Sequence, residues 1–252
     1  MTGLEIIQKL REESFNQDTE SRLESHPYLK AAEDGMLTLS QRRAFAQEQY
    51  FIQLSDATSF AFLAGHKGFS PSSLSGVTVP DPVSAVTDSG AVDLFQFLLG
   101  GEIYAAPLLL AYAKTVGLDE ASLRALVTAS DSEYRISAKA QAYPSYWARL
   151  ALSGQRAAGA AACAVNFPAW GDMCRRLFEA LSDVDRGDYG YASVDDEGLA
   201  FIKFFATPIE DLDLMAAAII EEEGSSYEEL VEPVRLLQEY EIMFWDAIFD
   251  NK

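Results

Sequence analysis

The chain has 252 residues, 49% hydrophobic and 12% aromatic, enough apolar material to build a core and too much for a disordered polymer. Its net charge is −20, from 39 acids and 19 bases, and Ser182 to Lys252 carries most of that excess. Binding nucleic acid or an anionic bilayer calls for basic surface, so neither partner is expected; the plain reading of the acid excess is solubility. The N-terminal MTGLEIIQKLREESF has charges throughout and no signal-like apolar core. The longest apolar stretches, such as Ala157 to Val165, fall short of the roughly 20 residues a bilayer needs. With two cysteines, Cys163 and Cys174, no disulfide framework is expected, and the expectation is a cytoplasmic protein.

In chain order, Leu4, Ile7 and Leu10 open a short amphipathic helix. His26 precedes Pro27 and reads as a helix start. Gly35 reads as a helix stop, and Ser40 or Thr38 as the cap of the next helix, which turns Phe45, Tyr50 (or Ile52) and Phe60 inward. From Gly68 to Gly90 proline and serine accumulate and Lys and Arg vanish, the mark of an irregular surface loop, plausible as a cover for a pocket. Helices resume over Val92 to Val116 before Gly117, over Asp119 to Val127, and from about Asp131 to Leu152 before Gly154. Ala157 to Leu181 begins with small residues that permit close helix packing, and Pro168 is expected to kink or interrupt it. Asp183 to Gly198 reads as polar turns, followed by helices over Ile202 to Glu223 and Tyr227 to Phe249. With no alternating β-branched run and no dividing linker, the expectation is a single all-α domain, 1–252, of seven or more helices.

Several chemistries are absent as motifs. There are two histidines, no Glu-x-x-His, no His-x-x-x-His, no Cys-x-x-Cys and no glycine-rich phosphate loop. Asp183-Val-Asp185-Arg-Gly187 fails as a calcium loop, with its glycine one place early and Val194 at the twelfth position. No metal, haem or other cofactor is therefore expected. What is left is carboxylates, amides and aromatics: Glu48 to Phe51; Tyr143, Tyr146 and Trp147; Asn166, Phe167, Pro168 and Trp170; Glu239 to Trp245. A carboxylate within an aromatic-rich helix is costly unless paired or functional. Against that stands the plainer reading, in which Glu48 and Glu241 face water and the aromatics are core.

These clusters resemble the TenA (thiaminase II) family of the haem-oxygenase-like superfamily, which also holds PqqC. His26 to Ile52 resembles the family's opening, His-Pro, an acidic-glycine turn and a helix carrying Gln-Asp-x-Tyr. Tyr143 to Leu181, with Leu152-Ser153-Gly154, and the closing Tyr240-Glu241-x-x-Phe244-Trp245 are the other two patches. The resemblance implies an all-α, haem-oxygenase-like bundle with a central pocket, usually a homo-oligomer, here a homodimer or homotetramer. It also implies a small-molecule ligand related to thiamine or its aminopyrimidine. In the family a cysteine attacks the pyrimidine ring, a C-terminal glutamate is the acid–base partner and an aspartate holds the amino group. Counting from Leu152-Ser153-Gly154, the cysteine's place holds Asn166; the resemblance further implies Glu241 in the glutamate's place, Glu48 in the aspartate's and Trp170 in that of the tyrosine after the cysteine.

The site expected on this resemblance comprises Glu241 and Glu48 as catalytic acids, with Glu48, Tyr50, Tyr143, Asn166, Trp170 and Phe244 around the ligand, and no metal. An amide is no ordinary nucleophile, so the expected protein is a diverged member binding or processing a heterocycle without cofactor. If it is an enzyme, it is a metal-independent hydrolase. Cys163, three residues before Asn166, could face the pocket or be a buried small hydrophobe. A non-catalytic binding or regulatory protein, or a PqqC-like oxidase relative, is the alternative; the family's label of transcriptional activator finds no support in a −20 chain.

Overall fold

A computed structural model describes residues 1–78, 80, 92–128 and 134–251. Among them eleven α-helices form and no β-strand: α1 Gly3–Arg11, α2 Ser14–Glu24, α3 Pro27–Glu33, α4 Leu39–Leu63, α5 Leu94–Thr115, α6 Glu120–Ala125, α7 Ala138–Leu152, α8 Arg156–Ser182, α9 Ala200–Phe205, α10 Leu212–Glu223 and α11 Tyr227–Phe249. The all-α expectation holds. Many boundaries follow local chemistry. His26 caps α3, its Nδ1 accepting from the Tyr28 N–H at 3.2 Å, with Pro27 in the first turn. Thr38, rather than Ser40, caps α4 in a reciprocal capping box with Gln41. Gly35 sits at φ +70°, and a Cβ there would lie 1.9 Å from the Arg186 carbonyl oxygen, so both conformation and space demand glycine.

Helices α4, α8 and α11 form the centre. Helix α4 packs on α5 and α7, α11 on α7 and α8, and α10 on α8. One half of the core gathers Trp147, Phe60, Phe95 and the alanines of α8; the other gathers Phe45, Tyr112, Phe201 and Trp245. Tyr143 packs against both. The small residues of α8 allow this closeness: a Cβ on Gly159 would lie 3.1 Å from the Phe95 ring and 3.2 Å from Trp147.

Four sequence expectations need correction. Pro168 does not interrupt α8. A proline leaves the carbonyl four residues back without its amide partner, and here the orphan, Ala164 O, accepts from the Arg11 guanidinium at 2.6 Å. The same guanidinium forms a bidentate pair with Asp213 of α10. The stretch Ile202 to Glu223 is two helices, broken around Pro208, with Asp211 in the left-handed region at φ 56°. A helix not foreseen, α2, buries Asn16 and Thr19 beside Leu23, so its inner face has little apolar signature. Finally, α5 is long and apolar enough to cross a bilayer by length and composition, but it is packed on α4 and α9. Residues 68–78 and 80 contain neither helix nor strand, as expected of the Gly68 to Gly90 loop; the rest of that loop, and the expected helix start at Asp131, lie outside the described residues.

Candidate functional site

Where the two halves of the core meet, the helices leave a cavity of about 1260 Å³. Helix α4 contributes Gln49, Ile52 and Asp56, spaced by three and four residues and so on one face. Helix α5 contributes Leu98 and Gly100 to Glu102, α7 Tyr143, α8 Phe167, Pro168 and Trp170 to Asp172, and α11 Glu241 and Phe244. The α9–α10 break supplies residues 204–214, so a single helix there would have removed one wall. About a third of the lining residues are polar or charged, but most of the exposed wall is aromatic and aliphatic, the usual make-up of a small-molecule site. Trp170 stands 5.9 Å from Phe244 and 6.0 Å from Phe205, ring centre to ring centre.

Glu241 is 1% exposed, yet it forms part of the cavity wall. Its Oε1 accepts from the Trp245 indole N–H at 3.3 Å and its Oε2 from the Asn166 amide. Burial raises its pKa from 4.5 to about 7, although both hydrogen bonds pull the other way. Asn166 is the hub of a buried chain: its Oδ1 accepts from the Tyr143 hydroxyl at 3.1 Å and its Nδ2 donates to Gln238 at 2.8 Å as well as to Glu241. Gln238 in turn donates to Asn16 of α2. With Tyr143 donating to its oxygen, the Asn166 amide nitrogen must face Glu241, so the carboxylate is held at a set angle.

Of the residues expected around one pocket, Tyr143, Trp170, Glu241 and Phe244 share the cavity wall, and Asn166 lies behind it. Two do not join them. Glu48 is fully buried outside the cavity lining, accepting from the Tyr134 hydroxyl at 2.5 Å, the Ser137 N–H at 2.7 Å and the Gln141 amide at 2.6 Å. It sits about 12 Å along α4 from Asp56, at 1.5 Å per residue, and ties α4 to the segment entering α7. Tyr50, two residues from Ile52, faces the other way and donates to Glu120 at 3.2 Å. The plainer reading, in which Glu48 and Glu241 face water, is also overturned, since both are buried. Cys163 is fully buried and not a cavity-lining residue, and burial, with Asp56 nearby, pushes its thiol pKa well up.

Two wall residues were missed. Asp56 is 5% exposed, and among the described residues its Oδ1 has no hydrogen-bond partner. Glu102 faces it electrostatically from α5, and burial raises both pKa values, with the neighbour's charge adding to the rise at Asp56. The signal was present: Glu102 is the only acid in the apolar helix Leu94–Thr115, and Asp56 interrupts an apolar run in α4.

A helical bundle of this connectivity around a central cavity is the haem-oxygenase-like fold, and comparison with known proteins narrows it further. The TENA/THI-4/PQQC family model matches residues 107–251, and the chain belongs to that family. Three solved structures are similar over nearly the whole chain. A TenA homologue from P. horikoshii OT3 shares 14% identity at TM-score 0.57, covering 98% of this chain and 99% of that one. A TenA homologue from Pseudomonas syringae pv. tomato str. DC3000 shares 15% at 0.63, covering 96% and 92%. A TenA family transcription regulator from Silicibacter sp. TM1040 shares 17% at 0.58, covering 96% of each. No curated protein matches the chain at a significant level.

Proposed function

We propose that this TenA-like protein binds a small heterocyclic molecule, thiamine-related and aminopyrimidine-like, in the central cavity, and that any chemistry there is cofactor-free and uses Glu241. The observation carrying this reading is the Glu241 carboxyl. It is in the wall of a largely apolar cavity, oriented by Asn166 and Trp245, with a pKa of about 7. A carboxyl poised there holds or releases a proton at neutral pH, the property a general acid–base needs. Trp170 and Phe244 provide flat faces for a heteroaromatic ring.

The covalent route of thiaminase II is not supported. Asn166 stands in the nucleophile's place in sequence and is fully engaged as a hydrogen-bonding hub. Cys163 is sealed in the core with its thiol held protonated, and the thiolate is the reactive form. The same engagement of Asn166 favours a second reading, a binding protein without turnover.

Incubation with thiamine and with its aminopyrimidine fragment, following ring release and thermal stability, tests the proposal. Stabilisation by the pyrimidine is expected, roughly 2.7 kcal/mol at a hundred times its dissociation constant, with no cysteine-dependent cleavage of thiamine. Rapid thiamine cleavage that Cys163→Ala abolishes would overturn the reading. Slow hydrolysis of a pyrimidine substituent that Glu241→Gln abolishes would favour the enzyme over the pure binder.

A further inference from the structure

We propose that Asp56 and Glu102 form a recognition site for the cationic nitrogen of a ligand, a primary or secondary ammonium or an amidinium, whose apolar body lies against Tyr143, Trp170 and Phe244. The inference rests on the cavity being the ligand site and specifies the charge of what enters it.

Asp56 lines the cavity wall while less than a tenth exposed, and among the described residues its buried Oδ1 has no donor. A buried carboxylate oxygen without a donor costs free energy that the protein itself does nothing to offset. Glu102 approaches from α5, and the local tie between the two helices, Gln53 Nε2 to the Glu102 backbone oxygen at 2.9 Å, brings no positive charge. Nor does the rest of the wall. Among the described residues every charged group lining the cavity except Arg175 is an acid. Arg175 is already engaged by Asp172 at 2.5 Å and Glu179 at 2.9 Å on its own helix. Two neighbouring carboxyls in an apolar cavity do not both ionise cheaply, so without a nearby cation protonation of one of them is favoured. A ligand ammonium takes over that role: it supplies the opposite charge and donates N–H to the carboxyl pair. A neutral hydroxyl supplies only the donor, and a carboxylate adds repulsion.

Three probes with one body separate these cases: 2-phenylethylamine, 2-phenylethanol and phenylacetate, titrated calorimetrically into the full chain at neutral pH. The amine is expected to bind at least about tenfold more tightly than the alcohol, with phenylacetate weakest. Asp56→Asn and Glu102→Gln should each erase most of the preference for the amine while the alcohol's affinity is kept; each stands alone if the other variant fails to fold. Gly100→Trp, at a wall position with open space where its Cβ would project, should weaken all three. Equal binding of amine and alcohol, a preference that survives both acid variants, or no amine binding at millimolar concentration would overturn the inference. If the probes bind equally and Gly100→Trp blocks them, the cavity still stands as the ligand site and only the charge assignment falls. Binding indifferent to Gly100→Trp would overturn both.

Discussion

Glu48 and Asp56 are two acids on one helix, eight residues apart and both buried, yet their surroundings are opposite. Glu48 has three donors, from Tyr134, Ser137 and Gln141, and no contact with the cavity. Asp56 lines the cavity, its Oδ1 without a donor among the described residues and another carboxyl for a neighbour. Burial shifts both pKa values upward, so neither burial nor pKa distinguishes them. The donor count does. A carboxylate whose oxygens are all met by the protein is a structural tie; one left unmet at a void is a place where something else binds.

The sharpest way to break that contrast is Glu48→Ala. It strands the Tyr134 hydroxyl, the Ser137 N–H and the Gln141 amide together and leaves a hole in the core. A loss of about 3–5 kcal/mol is expected in denaturant unfolding. A loss under about 1 kcal/mol would show that Glu48 is not a tie.

Glu241 stands between the two cases, held by two donors but facing the cavity. Its folded pKa, about 7, lies above the model-peptide value of 4.5. Between those values the unfolded chain has released the proton and the folded chain has kept it. Stability therefore falls as pH rises from 4.5 through about 7, by about 3 kcal/mol in full at one group, and does not recover above that. Glu48, Asp56 and Glu102 shift in the same direction and add to the trend. Thermal unfolding should give a higher Tm at pH 5.5 than at pH 8, and the Glu241 carboxyl carbon should titrate near pH 7 by NMR. A carboxyl signal titrating near 4.5 would remove Glu241 as an acid–base candidate.

Much of the fold was readable because its punctuation is local. Ser226 and Glu229 box the start of α11, whose bounds match the apolar spacing from Tyr227 to Phe249. Gly35, Gly117 and Gly154 all take positive φ where helices stop. Pro168 misled because what rescues it, Arg11, comes from the other end of the chain. The site was legible in part for the same reason. Helical periodicity tells which residues turn inward, not which neighbours they meet, and the family resemblance that placed Glu48 and Tyr50 with Glu241 did not settle those neighbours either. Asp56 and Glu102 carried the same signal, an acid in an apolar helix, but matched no family pattern and went unweighed.

The smallest effect expected is also the one that tests the contrast most directly. Asp56→Asn keeps the shape and removes the charge. At pH 8 it should stabilise the protein by about 1–2 kcal/mol, because the cost of burying an ionisable carboxyl beside Glu102, which the unfolded chain escapes by releasing its proton, disappears. Near pH 4 the gain should vanish, since the wild-type carboxyl is then neutral too. A substitution that raises stability while weakening amine binding is the mark of a residue kept for its ligand rather than for the fold. Urea titrations of wild type and variant at the two pH values decide the matter. If Asp56→Asn destabilises the chain equally at both, Asp56 is a tie like Glu48 and the distinction between them is lost.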